Sequence, residues 1–157
     1  EGWAAWCNRT LEQRTVPTIS LADAIALTGS VLPIRLLKMD AQGVDLALIR
    51  SASPSELARV QAICLELPRD TAYCRSSAGA LYARGGRESC AASLAYMRSR
   101  GFVYIGHETP GVGSGKLASP EGCPTNEAIR TCEIQAYFIN ERGRFPKLSP
   151  EEVPVLP

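Results

Sequence analysis

Acidic side chains follow two apolar segments of the chain, at positions where the strands of an open sheet would end. Asp40 comes directly after the segment Ile34–Met39, and Glu66 lies at the end of the apolar run that begins at Gln61. Ligands of open α/β sheets bind in the crevice outside the carboxyl ends of the strands. We therefore expect both carboxylates to face one crevice, where Asp40 would orient a cofactor or act as a base toward a substrate hydroxyl.

Each residue around this crevice also has a structural alternative. Asp40 would serve as the N-cap of the helix that begins near Gln42. Gly43 suits close packing of that helix on the strand better than it suits ligand approach. Asp45 would stabilise the helix N-terminus through the helix dipole, and Glu66 would equally well pair with an arginine. The residue types alone leave both interpretations open.

Two further features are weaker candidates for chemistry. His107, the only histidine, follows an apolar segment and could act as a base, although a lone histidine in a loop is usually solvated. The glycines between 111 and 115 superficially resemble a phosphate-binding loop, but Pro110 and Leu117 stand where that motif needs Gly and Ser or Thr. With one histidine and no Cys-x-x-Cys pair, we expect no metal site.

The cysteines and a sequon indicate the cellular compartment. The chain has six cysteines in 157 residues, and Asn8-Arg9-Thr10 is an N-glycosylation sequon. Together they favour the secretory pathway or the cell exterior, with a glycan on Asn8. A cytosolic domain with buried free thiols is the alternative, since free cysteine is often a core residue.

We expect at least two disulfides. Cys74 with Cys90 and Cys123 with Cys132 are the expected pairs, because each pair brackets a loop. Six cysteines allow about 15 connectivities, so this pairing rests on proximity along the chain alone.

Composition excludes several classes of protein. Apolar residues make up 45% of the chain and charged residues 21%, which is typical of one globular domain with a real core. The net charge is +1 and no block of like charge stands out, so we expect no nucleic-acid partner. The longest apolar runs are much shorter than the ~20 residues that span a bilayer.

Alternating strand and helix patterns predict an α/β fold. We expect a mostly parallel sheet with helices on both faces and an antiparallel hairpin at one edge. Ile34–Met39 would be the central strand, Ala62–Leu67 its neighbour, and Phe102–Ile105 with Ile134–Ile139 the edge pair. Residues 1–14 would form an amino-terminal arm, 15–140 the α/β unit, and 141–157 a proline-rich tail.

The run from Leu37 to Asp45 resembles a family pattern. Its order is similar to the Leu-Lys-Ile-Asp-(Val/Ala)-(Glu/Gln)-Gly-x-(Glu/Asp) stretch of FkbM-type S-adenosylmethionine-dependent methyltransferases. Weaker similarities follow the family's order at 16–23, 60–66, 96–102 and 133–140, so the resemblance covers roughly residues 14 to 140. It implies the carboxyl-terminal half of a Rossmann-like methyltransferase fold, whose last two strands form an antiparallel pair.

The resemblance also implies a cofactor, a reaction and a set of site residues. S-adenosylmethionine would lie beside Asp40, which would be catalytic, and the methyl acceptor would be a hydroxyl, with glycans as candidate acceptors. The residues that the resemblance assigns to cofactor binding are Asp40, Gln42, Gly43, Asp45 and Glu66.

One part of the family pattern has no counterpart in this sequence. Such enzymes carry a Gly-rich turn and a ribose-binding acid on two earlier βα units, and the residues before Thr15 are too few for them. We therefore expect that this chain alone does not bind S-adenosylmethionine appreciably. Another polypeptide, or an amino-terminal half of the fold, would cover the open sheet edge. The alternative is a non-catalytic secreted binding or structural module within a larger assembly.

Overall fold

A computed structural model describes residues 12–29, 32–41, 43–69, 74, 88–108, 122–124 and 132–154. The expected glycosylation site Asn8 and the candidate ligand Gln42 lie outside these residues. The α-helices are α1 (Leu21–Leu27), α2 (Asp45–Ser51), α3 (Pro54–Leu57) and α4 (Cys90–Ser99). The strands are β1 (Ile34–Met39), β2 (Val60–Pro68), β3 (Phe102–Glu108) and β4 (Glu133–Asn140), and a 3₁₀ turn spans Pro150–Glu152.

Local sequence signals explain where the helices begin and end. The Ser20 hydroxyl accepts from the backbone N–H of Asp23 at 3.0 Å and caps α1, which ends before Gly29 at a φ of 75°. Ser53 and Glu56 form a reciprocal capping box around the start of α3. These caps satisfy N–H groups that the first turn of a helix leaves without partners.

The sheet is mixed and open, with the strand order β1-β2-β4-β3. β1 and β2 pair in parallel, whereas β4 pairs antiparallel with both β2 and β3. The expected antiparallel pair at one edge is therefore confirmed. The expectation of a mostly parallel sheet is wrong for the strand pairs, because the reversed strand β4 enters between β2 and β3. It separates two strands that run in the same direction.

The expected central position of Ile34–Met39 is also wrong for the described sheet, where β1 is an edge strand. Its sequence is apolar on both faces, yet Ile34, Leu36 and Leu37 are only half-buried. β1 thus has the composition of a central strand but lies at an edge of the described sheet. On its outer side it presents partly exposed apolar side chains and a row of backbone N–H and C=O groups to which another strand could pair.

The described helices cover one face of the sheet, whereas the alternating pattern predicted helices on both faces. Residues of all four described α-helices join one core with the same face of the sheet, including Ile25, Ile49, Leu57 and Met97. The crossovers β1–β2 and β2–β3 both move in the same direction across the sheet. Because such crossovers are right-handed, both place their helices on the same face. The handedness of the connections therefore decides which face the helices cover.

The second face of the sheet is covered by the segment that follows β4. Leu148 and Val153 pack against a small buried cluster that includes Cys64 and Tyr137, and Val153 is 3% exposed. Gln61 donates its side-chain amide to the carbonyl of Pro146 at 2.8 Å, which holds the segment against the strand. No helix of the described residues is long and apolar enough to cross a membrane.

The described residues form two disulfides, and their partners differ from the expected ones. Cys74 bonds to Cys132 and Cys90 bonds to Cys123, with Cα–Cα distances of 5.2 and 6.0 Å. The four cysteines were identified correctly, but both expected pairings are wrong. Pairing by proximity along the chain failed because β4 starts beside the end of β2, which brings Cys132 to Cys74, while Cys90 at the start of α4 meets Cys123 instead. Both bonds sit at the carboxyl end of β2 and β3.

Candidate functional site

The carboxyl ends of the parallel strands β1 and β2 bring Asp40 and Glu66 together. Met39 is in register with Leu65, so the residues that follow them, Asp40 and Glu66, lie side by side. Asp40 is exposed and Glu66 is half-buried. The structure therefore confirms that the two carboxylates share one edge of the sheet, which is where ligands of α/β sheets bind.

Lys38 accompanies Asp40 at this edge. The Nζ atom of Lys38 lies 3.8 Å from Oδ2 of Asp40, and both side chains are more than one-third exposed. An ion pair with this exposure contributes about 0–1 kcal/mol to stability. Lys38 is therefore a weakly held neighbour of the Asp40 carboxylate.

The turn between β1 and α2 uses Asp45 as a structural acceptor. Asp45 is 1% exposed, and both of its carboxylate oxygens lie 3.3 Å from the backbone nitrogen of Ala41. Val44, at the N-cap of α2, provides no side-chain cap, so the first-turn acid Asp45 reaches back across the turn instead. Gly43 has a φ of 94°, which a residue with a Cβ rarely adopts.

Glu66 holds its proton far more tightly than an ordinary glutamate. Desolvation, a hydrogen bond with Glu133, and the negative charges of Glu133, Asp40 and Asp45 raise the pKa of Glu66 to about 8. At neutral pH the protonated carboxyl can donate a hydrogen bond to a neighbouring carboxylate. The edge therefore combines an exposed charged acid, Asp40, with a neutral acid that can donate, Glu66.

Sequence reasoning missed Glu133 as a member of this cluster. Glu133 begins β4 and is in register with Pro68, two residues beyond Glu66. The only sequence signal was its position at the start of the last strand. That signal has meaning only once β4 is known to pair with β2 rather than with β3 alone.

His107 lies apart from this cluster, on the helix-covered face. It belongs to β3 rather than to a solvated loop, is 6% exposed, and its Nδ1 lies 2.6 Å from the hydroxyl of Tyr104. Burial and the positive charge of Arg69 lower the pKa of His107. The imidazole is therefore neutral at physiological pH, and its hydrogen bond with Tyr104 lies within β3, away from the crevice.

The described part of the chain contains no group of three or more His, Cys, Asp or Glu side chains arranged to hold a metal ion.

Comparison with known proteins supplies no relative for this chain: no family model, curated protein or solved structure matches it.

Proposed function

We propose that this chain is the carboxyl-terminal half of an FkbM-like methyltransferase domain, in which the acidic edge forms one wall of a site for S-adenosylmethionine and an acceptor hydroxyl. The observation that carries the proposal is the placement of Asp40 beside Glu66 at the carboxyl end of the one parallel strand pair in the described sheet. Asp40 is also the acid of the motif that resembles the family.

The architecture supports the same assignment. The resemblance implies a closing pair of antiparallel strands, and β3 and β4 form such a pair at one edge of the sheet. At the other edge, β1 has the apolar composition of an internal strand and keeps half-buried apolar side chains. An additional parallel strand beside β1 would complete the sheet and enclose the acidic edge from its open side.

The acidic edge suits the chemistry of such a reaction. Bound S-adenosylmethionine would supply an electrophilic methyl group on a positively charged sulfonium, and carboxylates stabilise a cation and accept bonds from ribose hydroxyls. Asp40 would accept the proton of the acceptor hydroxyl. Glu66 would hold Glu133 in place by donating its own proton to it, and Gly43 would let the turn approach a ligand. The described residues supply only this wall.

The two disulfides support a place outside the cytosol, where glycans are available as hydroxyl acceptors. Methyl transfer to a glycan hydroxyl depends mainly on in-line positioning of the acceptor oxygen. A rigid edge next to a disulfide-bonded framework is suited to that positioning.

A non-catalytic secreted module is the second candidate. It is favoured because the acids at the sheet edge already interact with other groups of the chain. Asp45 is committed to the Ala41 N–H, Lys38 pairs with Asp40, and Glu66 binds Glu133. Acids with internal partners can be purely structural. In this case the open β1 edge would serve to join the module to a larger assembly.

Calorimetric titration with S-adenosylmethionine distinguishes the two. We expect no micromolar binding to the 157-residue chain alone, because pockets usually bury most of their ligand and one wall does not. The polypeptide isolated from its natural source should bind at micromolar concentration, and Asp40→Ala should abolish binding. Glu141→Gln, an exposed acid after β4, is the matched control and should bind normally.

The outcomes separate the hypotheses. Failure of the natural polypeptide to bind the cofactor would refute the methyltransferase proposal and leave the non-catalytic module. Binding to the isolated chain that depends on Asp40 would instead show that one wall is sufficient.

A further inference from the structure

A basic cleft lies at the opposite end of the sheet from the acidic edge. It has a volume of about 260 Å³ and lies between α3, the end of α4 and the end of β4. The residues that line it are Pro54, Leu57, Ala58, Ser99, Arg100, Asn140 and Arg142. Two of the seven are arginines, and none of these described lining residues is acidic.

The frame of the cleft is built by hydrogen bonds from the turn after β4. Asn140, 5% exposed, donates its side-chain amide to the carbonyls of Leu57 and Val60 at 3.0 and 2.9 Å. Its Oδ1 accepts from the backbone N–H of Arg142 at 2.9 Å. Arg144 donates its N–H to the carbonyl of Ala58 at 2.8 Å. The turn is thus anchored on the α3 side of the cleft.

On the α4 side, Gly101 fixes the stem of Arg142. Gly101 has a φ of 87°, and a Cβ added there would lie 2.7 Å from Cδ of Arg142. The N–H of Glu141 donates to the Gly101 carbonyl at 2.8 Å. The aliphatic stem of Arg142 therefore lies directly on the backbone of Gly101, and Arg142 lines the cleft.

The two guanidinium groups have no acidic counterpart in the described part of the chain. Arg100 donates from Nη2 to the carbonyl of Ala52 at 3.0 Å, and neither Arg100 nor Arg142 forms an ion pair with a described Asp or Glu. The acid of α3, Glu56, accepts from the Ser53 N–H through its Oε2 at 2.6 Å in the capping box. An anion bound between two like positive charges relieves their repulsion.

We propose that this cleft binds a tetrahedral oxyanion, a phosphate group that is either free or the end of a small monoester. Guanidinium forks match phosphate oxygens in pairs of N–H···O bonds, and a tetrahedral group can accept from two arginines that approach from different sides. The volume suits a phosphate with a few attached atoms and is smaller than a typical site for a drug-sized ligand. Arg142 is the principal ligand, and Arg100 is the second.

Titration of the isotopically labelled chain with inorganic phosphate at constant ionic strength tests the site by NMR. The backbone amides of Gly101, Arg142 and Gly143 should shift together with one dissociation constant. Arg142→Gln should weaken binding at least tenfold, because the Arg142 guanidinium bonds nothing else in the described structure. Arg98 is an exposed arginine of α4 that does not line the cleft, so Arg98→Gln should change phosphate binding by less than twofold.

Three further measurements make the test decisive. Arg142→Lys should weaken binding by two- to fivefold, since lysine keeps the charge but loses the fork. Titration with glycerol phosphate distinguishes the two forms of the ligand. If the site takes a monoester, glycerol phosphate should bind more tightly than inorganic phosphate, and if it takes the free ion, the two should bind equally. An unchanged melting temperature of Arg142→Gln establishes that the fold is intact. Equal phosphate binding by wild type and Arg142→Gln, or shifts spread over all surface arginines, would overturn the proposal.

Discussion

The two ends of the sheet handle charge in opposite ways. At the carboxyl end, desolvation, a hydrogen bond with Glu133 and the negative charges of Glu133 and Asp40 raise the pKa of Glu66 to about 8. At the amino end, Arg100 and Arg142 line an open cleft in which arginines cannot lose their protons. A partly buried acid among other acids takes up a proton and becomes neutral. An arginine beside another arginine stays charged, so it must be solvated or bound by an anion.

The two ends also differ in how they are held. Disulfides from Cys90 and Cys132 lie at the carboxyl end, whereas the amino end relies on hydrogen bonds from Asn140 and Arg59. Covalent links act mainly by restricting the unfolded chain. Buried hydrogen bonds to carbonyls act in the folded state. Removing a disulfide at the carboxyl end should therefore act mainly on the unfolded state, whereas removing a hydrogen bond at the amino end should act on the folded state.

The largest effect should come from removing a disulfide at the carboxyl end. Replacing Cys90 and Cys123 together by alanine opens a link that spans 33 residues, and in the chain-entropy model it lowers the free energy of unfolding by about 4 kcal/mol. Urea denaturation measures this loss. Peptide mapping of the unreduced protein should recover Cys74 with Cys132 and Cys90 with Cys123. Recovery of Cys74 with Cys90 would contradict the structure.

The next largest effect should come from Arg59 at the amino end. Arg59 is 9% exposed, and its guanidinium donates to the carbonyls of Ile25, Gly29 and Leu32 and to the hydroxyl of Thr28, which lie at the end of α1 and between α1 and β1. Arg59→Ala should lower the free energy of unfolding by about 3 kcal/mol, because several carbonyls lose a charged donor.

The control for Arg59 is an arginine that has no such role. Arg98→Ala, exposed on α4, should change the free energy of unfolding by less than about 0.5 kcal/mol. Equal losses for Arg59→Ala and Arg98→Ala would show that Arg59 does not hold the end of α1.

The free energy of unfolding should depend on pH because of the acids at the carboxyl end of the sheet. The folded state holds the Glu66 proton up to about pH 8, whereas the ordinary value for glutamate is 4.5, so the folded state binds more protons between these values. The free energy of unfolding should therefore fall as pH rises through this window, by on the order of 2 kcal/mol for a partly solvated group. Glu66→Gln should remove this part of the slope.

Comparison of unfolding curves from pH 5 to pH 8 for wild type, Glu66→Gln and Glu141→Gln isolates the effect from other titrating groups. Glu141→Gln should keep the wild-type slope. The same slope in all three proteins would mean that Glu66 is not crowded in the folded state.

The smallest effects on the free energy of unfolding should come from two glycine substitutions, which together separate backbone strain from the contact with Arg142. Gly29 and Gly101 have similar positive φ values of 75° and 87°, but an added Cβ meets nothing within 4 Å at Gly29 and meets Arg142 at Gly101. Gly29→Ala should cost about 1 kcal/mol from strain alone. Gly101→Ala should cost about 1 kcal/mol more and weaken phosphate binding. Thermal unfolding with and without phosphate measures both quantities.

Several local features of the fold could be read from the sequence. Ser20 and Gly29 bound the first helix because capping and positive φ are properties of a few adjacent residues. The acids Asp40 and Glu66 could be placed at one sheet edge because two adjacent parallel strands end on the same side. The motif from Leu37 to Asp45 led to a family proposal that stays a prediction.

Features that depend on the partner of each strand could not be read in this way. The entry of Glu133 into the acidic cluster and the disulfide of Cys74 with Cys132 both follow from the pairing of β4 with β2. The edge position of β1 follows from the order of the described sheet, in which β1 pairs with β2 alone. Arg100 and Arg142 share a cleft because β4 pairs antiparallel with β3, so that the residues after β4 lie beside those before β3. The sequence by itself determined the elements, their caps and the kinds of charge they carry, because these depend on neighbouring residues. Only the tertiary structure decided which charges meet, because strand order depends on packing between residues that are far apart in the sequence.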